Sequence, residues 1–147
     1  MYQRILVAVD GSPAANAAIQ HGVRLAKATE AFLLFVHVSP SLSAVAISNA
    51  VDDGYENPLW DLEQASEISA LNAFEPAASL AKQAGLQFRA VHTKSCDFVE
   101  AILTCATANQ CDLIVIGAIG RGMQRFYGRH VRKGALKASS IPLLVAH

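Results

Sequence analysis

No apolar run in this sequence is long enough to span a membrane; each is cut short by charged or small residues. Net charge is missing as well. Twelve basic and twelve acidic residues cancel, so whole-chain electrostatics name no partner, and neither a membrane nor a nucleic acid is expected. The N-terminus goes straight into "YQRILVAVD", without the basic, apolar and small-residue succession of a signal peptide. Cysteine is scarce and odd in number. Cys96, Cys105 and Cys111 lack metal-ligand spacing, so free thiols are the expectation. Taken together, these absences point to the cytoplasm.

What is present is a greasy globular chain. Its 147 residues are 52% hydrophobic and 16% charged, enough to bury one self-sufficient core, and a single domain over 1–147 is expected. The charges are not evenly spread. Six of the twelve cations (Arg121, Arg125, Arg129, Arg132, Lys133, Lys137) fall in residues 121–137, which hold no acid. Seven of the twelve acids fall between 52 and 75. Such blocks are commonly solvated faces, but the basic one adjoins four glycines, Gly117, Gly120, Gly122 and Gly128.

"ILVAV" (5–9) and "LIVI" (113–116) are almost purely apolar, and "FLLFVHV" (32–38) and "IPLLVA" (141–146) nearly so. Short runs of this kind between helical stretches read as strands buried on both faces. "LQFRAVH" (86–92) alternates instead, as near a sheet edge. Ser12 is a good N-cap with Pro13 behind it, followed by a stripe of Ala15, Ala18, Ile19, Gly22, Val23 and Ala26. Between 60 and 84, Leu71, Phe74, Ala78 and Ala81 recur at helical period, and Pro76 predicts a kink or two short helices. Asp97 and Glu100 form a capping pair for the next helix, and a last helix is expected from about 130 to 139. Pro40 to Pro58 has no periodicity, so residues 40–60 are expected to form a long loop, mobile or functional. The order is that of a parallel sheet wrapped by helices on both faces.

In such a sheet ligands bind outside the carboxyl ends of the strands, where strand order reverses. With order 3-2-1-4-5 that crevice lies between strands one and four, whose exits are "DGS" (10–12) and "GAIGRG" (117–122). Glycines let a backbone turn consecutive N–H groups toward phosphate. "GAIGRG" is nevertheless neither a dinucleotide fingerprint nor a P-loop, and a plain Gly-rich turn competes with an anion site. Asp10 has its own modest alternative, a turn with Gly11. The five histidines show no mutual spacing, so no metal site or catalytic dyad is expected from them, and no nucleophile with a paired base is visible. Cys96 precedes a helix start but reads as a bystander.

The opening "RILVAVDGSPAANAAI", then "HVSP", "CDFVEAI", "CDLIVIGAIGRG" and "SSIPLLVAH", in that order, resemble the universal stress proteins over the whole chain apart from 40–60. The resemblance implies a Rossmann-like open twisted sheet of five parallel strands in the order 3-2-1-4-5, usually as a homodimer, in bacterial stress physiology. It also implies that some members bind ATP or AMP, optionally with Mg²⁺, and that others do not. Binders carry Gly-x2-Gly-x9-Gly-Ser/Thr. Gly117 and Gly120 match the first half; Gly128 follows after seven residues rather than nine, and is succeeded by Arg129 and His130.

The implied nucleotide site comprises Val9, Asp10 and Gly11, with Asp10 at the ribose or metal; Val38, meeting the adenine; Gly117, Ile119, Gly120, Arg121 and Gly122; and Gly128, Arg129 and His130 in place of the last glycine and hydroxyl. The alternative is a nucleotide-free member acting through its dimer surface. An AMP-transferring enzyme is disfavoured, because "VDGSP" offers neither a His-rich nor a Ser-Gly-Gly loop, and hydrolysis is weak at most. The last strand (141–146) reads as buried yet falls at the sheet edge, which a two-fold partner would cover.

Overall fold

The computed structural model describes residues 1–41, 52, 54, 56–95, 97–118 and 140–147. Most of the expected 40–60 loop and all of the expected 130–139 helix lie outside them, as does Cys96. The described elements are β1 (Arg4–Ala8), α1 (Pro13–Thr29), β2 (Phe32–Ser39), α2 (Pro58–Gln83), β3 (Phe88–Lys94), α3 (Phe98–Ala108), β4 (Leu113–Gly117) and β5 (Leu143–Ala146). The strands form one sheet in the order β3-β2-β1-β4-β5, every neighbouring pair parallel.

Alternation in the central strand divides the core. Ile5, Val7 and Val9 face α1 and α2, while Leu6 and Ala8 face α3. Ile5, Leu6 and Val7 are all at 0% exposure, so β1 has no wet face and needs none of its residues to be polar. Each such side chain contributes roughly 1.5–3 kcal/mol by leaving water, which holds β1 at the centre of the sheet. The sheet edges are β3, with a mixed burial pattern, and β5, where Val145 is 43% exposed.

Helix α1 buries Ala15, Ala18, Ile19, Gly22, Val23 and Ala26, the stripe expected from its spacing. Helix α2 runs through Pro76 as one helix of 26 residues, so the segment does not break into two short helices. Of its expected stripe, Ala81 is buried and Phe74 packs against the core, but Leu71 is 67% exposed and Ala70, Ala73 and Ala77 complete the buried face. The alanine row lets the helix axis approach the sheet closely. The burial of that row outweighs the roughly 3 kcal/mol an internal proline costs a helix.

Candidate functional site

The exit of β1 is a built turn. Asp10 Oδ1 accepts the Ser12 N–H at 2.8 Å, and Gly11 sits at φ 80°, in the left-handed region that an Asx turn of this form favours for glycine. Ser12 then caps α1: its Oγ accepts the Ala15 N–H at 3.1 Å, and its carbonyl accepts from Asn16 at 3.1 Å. The modest reading of Asp10 as a turn former is therefore correct. It uses one carboxylate oxygen and leaves the other without a hydrogen bond among the described residues.

The exit of β4 meets that turn. Ile5, Leu6 and Val7 pair with Leu113, Ile114 and Val115, and the same register carried two residues on sets Val9 level with Gly117. Gly117 lies against the first turn of α1, where an added Cβ would stand 2.3 Å from the Ala14 carbonyl oxygen and 2.9 Å from Ala14 Cβ. Close approach of helix and strand demands glycine here, whatever the loop beyond it binds. The next residue, Ala118, donates its N–H to the Ala146 carbonyl at 2.6 Å, so β5 holds the far side of the same exit.

Two clefts run along α2 above the carboxyl ends of the strands. The first, of about 540 Å³, is lined by Asp10 and Gly11 on one side and by Ala65, Ile68, Ser69, Asn72 and Ala73 of α2 on the other. The second, of about 330 Å³, holds Val38, with His37, Ser39, Pro40, Leu62, Ser66 and Ser69. Ser69 is the shared wall. Of the expected site residues, Asp10 and Gly11 thus share one cleft and Val38 the adjoining one. Val9 and Gly117 lie beneath them, Val9 at 3% exposure. Ile119, Gly120, Arg121, Gly122, Gly128, Arg129 and His130 lie outside the described residues. The α2 wall was missed from sequence, although Ser66, Ser69 and Asn72, spaced by three, put polar groups on one helical face.

Two of the five histidines meet in the fold, although among the described residues no group of three potential metal ligands forms. His37 and His92 are level in the β2–β3 register, with ring centroids 5.6 Å apart. His37 Nδ1–H donates to the Val9 carbonyl at 2.8 Å, linking β2 to the start of the Asp10 turn. Burial pushes the His37 pKa down, against the raising effect of that carbonyl; nearby His92 lowers it further, and Asp10 raises it. His92 bridges two elements, with Ser39 Oγ 2.7 Å from its Nε2 and Glu67 Oε1 3.2 Å from its Nδ1. The sequence concealed the pair because partners across a parallel sheet are separated by a whole crossover; the legible signal was polar residues at the carboxyl ends of two strands. A serine hydroxyl therefore lies within hydrogen-bond distance of an imidazole, a contact that was not visible in the sequence. The two described cysteines are quiet: burial raises the Cys105 pKa and pushes Cys111 up to about 11.

Fold and crevice together define a doubly wound parallel α/β protein, a class in which ligands bind outside the carboxyl ends of the strands where strand order reverses. The model of the universal stress protein family matches residues 1–147, and the chain belongs to that family. A universal stress protein of Methanocaldococcus jannaschii is 26% identical over 149 residues, covering 99% of this chain and 82% of the relative. The Arabidopsis thaliana protein Modified Transport to the Vacuole 1 is 33% identical over 92 residues, which is 63% of this chain but only 12% of that much longer protein.

Among solved structures, a universal stress family protein of Burkholderia pseudomallei superimposes with TM-score 0.73 at 23% identity, covering 98% of this chain and 95% of its own. One from Arabidopsis thaliana with AMP bound gives 0.65 at 17%, covering 98% and 90%. One from Archaeoglobus fulgidus in complex with dAMP gives 0.65 at 17%, covering 99% and 98%. These likenesses establish the shared fold. Among the described residues, no helix is long and apolar enough to cross a membrane.

Proposed function

We propose that this universal stress protein binds an adenine nucleotide, ATP or AMP with Mg²⁺ as an optional companion, in the crevice between the ends of β1 and β4. Occupancy carries a regulatory signal in stress physiology, and hydrolysis is weak at most. The observation that carries this reading is the meeting of the Asp10 turn with the end of β4, beside a 540 Å³ cleft that Asp10 and Gly11 line. The spare Asp10 oxygen suits a ribose hydroxyl or a metal ion, and the β2 backbone at Val38 suits the adenine edge. Val9 and Gly11 hold the base of the crevice. The amides of Gly117, Ile119, Gly120 and Gly122, with Arg121, take the phosphates, and Gly128, Arg129 and His130 substitute for the family's last glycine and hydroxyl. AMP and dAMP in fold relatives support the ligand class.

The protein works in the cytoplasm as one domain, and it pairs as a homodimer through residues 141–146. Support for the dimer is the edge position of β5 with Val145 43% exposed. A second reading, a nucleotide-free dimeric interaction module, is favoured by one observation: Gly117 is already explained by Ala14, independently of any phosphate.

Nucleotide released by denaturing freshly purified protein separates the two. Stoichiometric AMP or ATP supports the first reading. Its absence, together with no nucleotide density in a crystal soaked with ATP and magnesium, supports the second.

A further inference from the structure

We propose that Ser39, His92 and Glu67 form a nucleophilic centre that takes an acyl group from a small apolar ester onto Ser39 Oγ and passes it to water. The inference goes beyond the nucleotide reading and does not depend on it.

The three residues come from three elements. Ser39 ends β2, His92 sits on β3, which pairs with β2 to Ser39↔Lys94, and Glu67 lies on α2. Glu67 Oε1, 3.2 Å from His92 Nδ1, accepts its N–H and so fixes the tautomer. Nε2 then presents its lone pair, and the Ser39 hydroxyl donates to it at 2.7 Å. This is the order carboxylate, imidazole, hydroxyl, which is recognised by geometry and roles and not by sequence position.

A polar clamp tying α2 to the sheet would use the same bonds, but it would need no cavity. Here Ser39, only 4% exposed, lines the 330 Å³ cleft together with Val38, Pro40 and Leu62. That lining is mostly carbon, which suits a short apolar acyl chain. Two more hydroxyls, Ser66 and Ser69, line the cleft, and Ser66 Oγ is 3.5 Å from Nε2. Ser66 thus shares the Nε2 lone pair with Ser39, and Ser69 is the cleft hydroxyl that would serve the oxygen of a tetrahedral intermediate. The cleft also opens at the carboxyl end of the sheet, where this fold class carries its ligands.

In the acylation step Ser39 Oγ attacks the ester carbonyl carbon while its proton passes to His92 Nε2. The bond from carbonyl carbon to leaving oxygen breaks, and the leaving alcohol takes the proton from Nε2. His92 then deprotonates a water, which attacks the acyl-serine, and Ser39 recovers its proton as the carboxylic acid departs. No oxidant or metal enters the balance. Glu67, with its side chain 56% exposed, positions His92 and is expected to matter less than the imidazole itself.

The test is mass-spectrometric mapping of the full-length chain after brief exposure to p-nitrophenyl acetate. One acetyl group on the Ser39 peptide is expected, absent in Ser39→Ala. His92→Ala should slow acylation by about 10²-fold or more, with free imidazole restoring part of the rate, which a merely structural histidine would not allow. Glu67→Gln, at an exposed position, should slow it less while leaving the circular dichroism unchanged, and it serves if His92→Ala does not fold. Acetyl groups found only on lysines and the N-terminus of folded wild type would overturn the proposal. So would Ser39 acetylation as fast in the His92→Ala and Glu67→Gln variants as in wild type.

Discussion

Replacing Gly117 by alanine adds a single methyl group at the junction of β4 and α1. Its carbon would lie 2.3 Å from the Ala14 carbonyl oxygen and 2.4 Å from the carbonyl carbon. Carbon–oxygen contacts settle near 3.3 Å, so the two backbones must part by roughly 1 Å. Neither can yield cheaply. Gly117 follows the fully packed Val115 and Ile116, and Ala14 belongs to a helix start held by Ser12 and followed by a stripe of buried residues. Overpacking against side chains costs about 1–3 kcal/mol, and a clash with backbone belongs at the upper end. For a chain of this size about 3 kcal/mol corresponds to a melting temperature lower by roughly 6–12 °C. Differential scanning calorimetry of G117A is the assay. A melting temperature unchanged within about 1 °C would refute the reasoning, because the strand end could not then be pressed on the helix as described.

Gly11→Ala tests the other exit. Nothing lies within 4 Å of an added Cβ there, but φ is 80°, so the cost is conformational, about 1–2 kcal/mol, and thermal denaturation should show a smaller drop than G117A. A second expectation concerns pH. The His37 pKa is depressed in the fold from 6.5, so the unfolded chain binds the proton more readily; stability should fall as pH drops below about 6.5 and level off once the folded value is passed. Urea midpoints measured against pH should show that slope reduced in His37→Gln, and identical slopes would count against a buried neutral imidazole. Cys111, with its pKa near 11, is ionised at roughly one part in a thousand at pH 8. It should label with iodoacetamide only after urea is added, and rapid labelling of the native protein would contradict its burial.

Most of the architecture was legible because it rests on local periodicity. The apolar runs of β1, β2 and β4, the α1 stripe and the Ser12 and Asp97 caps all stand where spacing put them. The errors came where two elements meet. Helix α2 turns Ala70, Ala73, Ala77 and Ala81 toward the core and Leu71 away from it, and which face of a helix meets the sheet is decided by tertiary packing that is invisible along the chain. The same holds for the site. The Asp10 turn could be read from three adjacent residues. The Ser39–His92–Glu67 constellation could not, since residues 39, 67 and 92 are joined only by the parallel pairing of β2 with β3 and the packing of α2 above them.

Nucleotide binding at the crevice beside Asp10 is the claim on which the functional account turns. Isothermal titration of AMP, and of ATP with magnesium, into wild type and Asp10→Ala tests it most directly. The account predicts a saturable one-site heat for wild type that is weakened or lost in the variant. Absence of heat with millimolar nucleotide over a natively folded wild-type protein, or equal binding by both proteins, would contradict it.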